Sequence, residues 1–171
     1  MSRIDELVTA FEGFRRSRDE YVETCRDFAA RLREGFVKFM ECADEDVKFF
    51  PPSNGYEPPR PGGGRSYSEL AAMEMGANGY WRIGLALHLR GVGVVTYELL
   101  FRYRDAAFEV IFESDDFIVL KDLDRSGRLF IRMFNATKRF YENYLQDVLT
   151  GEGPRRVVGF LPARDDENML T

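Results

Sequence analysis

The chain predicts an α+β fold, an antiparallel β-meander of four to five strands packed on one face by a long N-terminal helix and a C-terminal amphipathic helix. Three observations lead there: apolar and polar residues alternate from Tyr80 to Phe112, apolar residues recur at helical spacing from Ile4 to Met40, and they do so again from Phe130 to Val148. At 171 residues and 44% hydrophobic, the chain has enough apolar material for one sizeable core. The expected organisation is one domain over 1–162, with a Pro/Gly-rich internal loop at 51–65 and a flexible tail at 163–171.

The first helix is read from Ile4, Leu7, Val8, Phe11, Phe14, Tyr21, Val22, Cys25, Phe28, Ala29, Leu32, Phe36 and Phe39, which also fit a heptad seam interrupted by Arg18 and Gly35. Unbroken, it would be roughly 55 to 60 Å long, against about 40 Å for the diameter of a compact domain of this size. It must therefore protrude, pair or break. Gly13, followed by Ser17 and Glu20 at capping-box spacing, offers a break, but the preserved phase across Arg15 to Asp19 favours continuity.

Val47 to Phe50 reads as a short strand, and the following Pro- and Gly-rich stretch as a loop or linker. Ser66 and Glu69 then have the spacing to cap a short helix through Leu70 and Met73, ended by Gly76 to Gly79. In the sheet, Trp81, Ile83, Leu85, Leu87 and Leu89 face one way, while Tyr80, Arg82, Gly84, Ala86, His88 and Arg90 face the other. Pairing Arg90 with Val94 around Gly91 to Gly93 aligns Leu89 with Val95, Leu87 with Tyr97, Leu85 with Leu99 and Ile83 with Phe101. A two-residue turn at Asp105 and Ala106 brings Tyr103 opposite Phe108 and Phe101 opposite Val110. Phe117 to Leu120 is a fourth strand, the second long helix stops near Gly151 and Pro154, and Val157 to Leu161 returns as a last strand.

The net charge of -5 and pI near 5.1 argue against nucleic acid and anionic membrane as partners, since both select an excess of Lys and Arg. Met1 to Glu12 has no continuous apolar core, and no run approaches the ~20 apolar residues that span a bilayer. Cys25 and Cys42 would lie ~25 Å apart along one helix, too far to bridge, which suggests free thiols and a cytoplasmic location.

On the polar sheet face, the inferred register puts His88 opposite Thr96, with Glu98 diagonal to it and opposite Glu113. Adjacent carboxylates raise one pKa, and an imidazole beside them can share the proton, so His88, Glu98 and Glu113 are the candidate acid–base residues. The competing account is a solvated face on which the carboxylates splay into water. Arg82 and Arg102 would face each other beside Tyr80 and Arg104, a possible clamp for a small anionic ligand, unless Glu109 neutralises Arg102 across the strands. Asp122, Asp124, Ser126 and Gly127 match the first half of a calcium loop, but Phe130 and Met133 stand at its ninth and twelfth positions, so no metal is expected and a capped turn is favoured. Gly62 to Gly64 lack the Lys-Ser/Thr ending of a phosphate loop, and Pro58 to Pro61 suit a linker as well as a docking motif. No cofactor is indicated.

Catalytic residue types are sparse and aromatic residues plentiful, so the expected function is a non-enzymatic protein-interaction domain: an adaptor, a partner-specific chaperone or an immunity-type inhibitor, working as a homodimer or with a protein partner. Phe11, Phe14, Tyr21 and Phe28 on the seam of the first helix are the candidate interface. The alternative is a small anionic-ligand binder or acid–base enzyme using the polar face.

Overall fold

A computed structural model describes residues 2–57, 66–76, 78–113, 116–121, 126–150 and 158–162, with backbone alone for 143–150 and 158–162. The first helix, α1 (Arg3–Met40), runs unbroken for 38 residues. Its start is sealed by a capping box: the Ser2 hydroxyl accepts from the Asp5 amide at 3.2 Å while Asp5 accepts from the Ser2 amide at 2.7 Å. Donation from the Ser2 amide, with the Ser2 hydroxyl beside it, also holds the Asp5 carboxyl below the usual carboxylate range. Gly13 does not break the helix, and nothing lies within 4 Å of the position its Cβ would take. The end comes at Glu41, whose left-handed φ of 52° turns the chain away while Cys42 N–H reaches back to the Val37 carbonyl.

Among the described residues, seven strands form one antiparallel sheet: β1 (Val47–Phe50), β2 (Glu74–Met75), β3 (Trp81–Leu89), β4 (Gly93–Arg104), β5 (Ala107–Ile111), β6 (Phe117–Leu120) and β7 (Val158–Pro162). The order is β1-β3-β4-β5-β6, with β2 pairing β3 beyond β1, and β7 pairing β4 beyond β5. The meander is thus the expected one, flanked by a two-residue strand, β2, that alternation could not reveal. A short helix, α2 (Glu69–Ala72), precedes β2; its cap is Ser68, two residues later than the spacing suggested, and its hydroxyl accepts from the Ala71 amide. The last helix, α3, spans Gly127–Thr150.

Both long helices lie on one sheet face. From α1, Cys25, Phe28, Ala29, Leu32 and Phe36 are buried, and from α3, Leu129, Phe130, Met133 and Ala136 join them against Trp81, Ile83, Leu85, Leu87, Val95, Tyr97, Leu99, Phe101 and Val110. Phe28 lies flat on Phe108 at 3.8 Å and beside Phe101 at 5.1 Å, so it is a core residue and not an interface one. Tyr97 ties the layers together: its ring meets Phe36 edge-on, and its hydroxyl shares a 2.7 Å hydrogen bond with Thr137 of α3. Arg33 of α1 donates from Nε to the Val47 carbonyl at 2.8 Å, anchoring the start of β1.

Two backbone features carry measurable consequences. The β4–β5 turn at Asp105 and Ala106 has φ of 52° and 58°, the left-handed pair that a two-residue hairpin needs, with a non-glycine residue at each position. Ala106→Gly should therefore raise stability by about 1 kcal/mol in urea unfolding; a loss would show that the turn is not strained. At Gly84, a Cβ would stand 2.5 Å from the Phe50 ring, which covers the glycine from the strand beside it. Gly84→Ala is expected to cost about 1 to 3 kcal/mol, with much of the loss recovered by adding Phe50→Leu; no recovery would place the strain elsewhere.

Candidate functional site

The polar face of the sheet forms with the expected side chains but different neighbours. The β3–β4 register is displaced by two residues: Leu89 pairs with Gly93, Leu87 with Val95, Leu85 with Tyr97 and Trp81 with Phe101. The connection is Arg90–Gly91–Val92, closed by a 3.0 Å bond from the Val92 amide to the Leu89 carbonyl, with Gly91 at a φ of 72°. A two-residue displacement preserves which face each side chain occupies, because the strand period is two. It changes every cross-strand partner.

His88 consequently faces Val94 rather than Thr96, and Glu98, four residues farther along β4, is ~13 Å from that pairing. Glu98 faces Gly84 and pairs with Arg82 at 3.5 Å. The β4–β5 register is the expected one, but β5 ends at Ile111; Glu113 adopts a left-handed φ of 64° and pairs with Arg139 of α3 at 3.0 Å. His88, Glu98 and Glu113 therefore do not converge, and the proposed proton-sharing trio is not formed.

The arginines are likewise engaged with carboxylates. Arg82 faces Leu100, not Arg102, and reaches Glu74 at 3.9 Å as well as Glu98. Arg102 Nε sits 2.6 Å from Glu109, its guanidinium lies 4.4 Å above the Tyr80 ring, and the Tyr80 hydroxyl donates to the same carboxylate at 3.1 Å. The guanidinium holds the Glu109 carboxyl below the usual range, as expected for a charge-assisted bond. Arg104 pairs with Asp105 at 3.3 Å. The cross-strand neutralisation of Arg102 is thus the arrangement found, and a bidentate clamp made by Arg82 and Arg102 is not.

Part of this face is dry. Phe50, Ala86 and Val94 form a second small core, with Tyr56 and Tyr67 packed on it. The chain reaches it by turning back through Pro52–Asn54, where the Ser53 amide donates to both Glu74 carboxylate oxygens at 3.2 Å. Tyr56 meets His88 there, hydroxyl to Nε2, the rings edge-on at 5.6 Å. Burial pushes the Tyr56 phenol up to about 12, and burial with Lys48 nearby lowers the His88 imidazole. Both shifts favour uncharged groups, so the contact is a hydrogen bond between a neutral phenol and a neutral imidazole. Nothing in the alternation pattern pointed to Tyr56; its proximity to His88 comes from the turn after β1.

The second distinctive region is the outer half of α1. Every residue from Ser2 to Glu20 is exposed, and burial begins only at Tyr21. Ile4, Leu7, Val8, Phe11 and Phe14 expose between 49% and 72% of their surface. At 100° per residue, Leu7, Phe11 and Phe14 fall on the same stripe as Cys25, Phe28, Leu32 and Phe36. One continuous apolar stripe thus packs on the sheet at its inner end and meets water at its outer end. Of the four candidate interface residues, Phe11 and Phe14 lie on this open arm, Tyr21 at its root, and Phe28 in the core.

The calcium-like pattern is partly outside the described residues, at Asp122 and Asp124; the Ser126 carbonyl accepts from the Leu129 and Phe130 amides at the start of α3. The glycine triplet and the Pro58 to Pro61 element also lie outside. A shallow cleft of about 330 Å³ between α1 and α3 carries mixed charge from Arg31, Glu34 and Lys38. Among the described residues, no helix is long and apolar enough to cross a membrane. Comparison with protein-family models, curated sequences and solved structures finds no match for the chain.

His88 is the only histidine, so its titration can be followed as a single NMR resonance. Its pKa should lie below the ordinary 6.5. Because the folded pKa is lowered, the associated stability is fully present above 6.5 and is lost as pH falls through the folded value. For Tyr56, raised from 10 to about 12, the stability is present below pH 10 and lost between those values. An imidazole inflection at or above 6.5 would remove the dry corner from this description.

Proposed function

We propose that this protein is a non-enzymatic interaction domain, in the class of adaptors, partner-specific chaperones and immunity-type inhibitors, whose body holds out the outer half of α1 to dock another helix. The observation that supports this reading is the exposure of Ile4, Leu7, Val8, Phe11 and Phe14 on a helix that continues without a break from the core. Water-exposed apolar stripes of this kind are characteristic of recognition surfaces, and a helix laid against them is read at the i, i+3, i+4 and i+7 positions. An isolated arm of this length is marginal as a helix in water, but here the buried inner half supplies the nucleus, so the stripe is presented preorganised.

The reading of the polar face as an anion or acid–base site draws less support. Its arginines are each paired with a carboxylate, and its one histidine is spent on Tyr56 in an apolar corner. The thiols of Cys25, buried on the stripe, and Cys42 support a reducing, cytoplasmic setting.

A photo-crosslinking amino acid placed at Phe11 tests the docking role, with Lys138 on the outer side of α3 as the control position. In extracts of the native host, the Phe11 probe should form protein adducts and the Lys138 probe none. Absence of adducts at Phe11, or equal labelling from both sites, would sink the interaction reading. The probe should leave the fold intact, since Phe11 exposes 62% of its surface.

A further inference from the structure

We infer that the arm docks a second copy of this chain, antiparallel, so that Phe11 and Phe14 of one copy lie against Phe14 and Phe11 of the other. The inference rests on the interaction reading above and names its partner. In the heptad frame, Ile4, Phe11 and Arg18 occupy one seam position and Leu7, Phe14 and Tyr21 the other. Antiparallel layers then bring Ile4 to Tyr21, Leu7 to Arg18 and Phe11 to Phe14, with the two-fold axis near the middle of the arm.

Three observations select this occupant and this direction. From Tyr21 onward the stripe faces its own sheet, so a partner helix running parallel would enter the volume the sheet already fills. An antiparallel arm ends at that point. Next, a parallel pair would set Arg18 on Arg18 inside the seam, with Arg15 flanking Arg15 at nearly the same level. Reversing one arm instead puts each Arg15 to Arg18 segment level with Leu7 to Ala10 of the other copy, between its Glu6 and Glu12, while the acidic side chains point away from the seam. Finally, two copies of the five-residue stripe bury on the order of 1,200 Å² in total, which clears the ~1,000 Å² that a specific interface needs.

A lipid surface fits the arm less well. Arg3, Arg15, Arg16 and Arg18 are outnumbered by Asp5, Glu6, Glu12, Asp19 and Glu20, whereas helices that lie on anionic membranes have a polar face rich in Lys and Arg.

The test combines sedimentation velocity on the purified full chain with disulfide trapping in a Cys42→Ser background. Leu7→Cys and Arg18→Cys proteins are prepared separately, mixed and oxidised with glutathione disulfide. The expected results are a dimer at micromolar concentration and a mixed Leu7→Cys to Arg18→Cys disulfide several-fold more abundant than either homodisulfide. Phe11→Asp combined with Phe14→Asp should return the protein to a folded monomer whose melting temperature no longer depends on protein concentration. Dominant homodisulfides would overturn the antiparallel arrangement. A monomeric chain that still forms Phe11 adducts in host extract would overturn self-pairing while leaving the interaction reading intact, and a monomer without adducts would remove both. A monomer that co-sediments with phosphatidylserine vesicles would assign the stripe to a membrane surface instead.

Discussion

The stacking of Phe28 on Phe108 and against Phe101 fixes where α1 crosses the sheet, and most of the architecture depends on it. With Phe36 seated on Tyr97 two turns later, the helix has only one direction in which to run. Tyr97 in turn hydrogen-bonds Thr137, so α3 is placed by the same aromatic core. A helix of 38 residues is longer than the sheet it packs on, and once the inner half is anchored the remainder, Ser2 to Glu20, stays exposed among the described residues. The exposed arm is therefore a consequence of where the core holds the helix.

The two faces of the sheet are treated differently for a steric reason. On the helix face, large side chains from both layers interlock. On the other, β3 carries Gly84 and Ala86, small enough for the Phe50 ring to lie over them, and the chain after β1 folds back to bring Tyr56 and Tyr67 into the same corner. His88 is drawn into this patch, which explains why burial opposes its charge. Farther along, the residues are ion pairs: Arg82 with Glu98 and Arg102 with Glu109. The Arg82–Glu98 pair is exposed and contributes little to stability, whereas Arg102–Glu109 is part-buried beside Tyr80; together they leave few charges on the face without a partner.

The functional proposal follows from the contrast between these regions. Charged side chains on the sheet are satisfied locally, whereas the apolar side chains of the arm are not. A stripe that is core at one end and solvent-facing at the other is consistent with an arm completed by another helix.

Much of this was legible in the sequence. Continuity of α1 could be read from a stripe that keeps its phase across Arg15 to Asp19, the helix-facing residues of β3 and β4 from their alternation, and the Asp105–Ala106 hairpin from the pairing of Tyr103 with Phe108. These are local properties, dictated by helix and strand periods acting on neighbouring residues. The β3–β4 register was not, because a two-residue slip leaves each side chain on its own face and the pattern is blind to it. That slip separates His88 from Glu98 and Arg82 from Arg102. Whether Phe28 is core or interface, and that Tyr56 reaches His88, were also decided only in three dimensions: both depend on which distant segment arrives at the residue, and periodicity says nothing of distant segments.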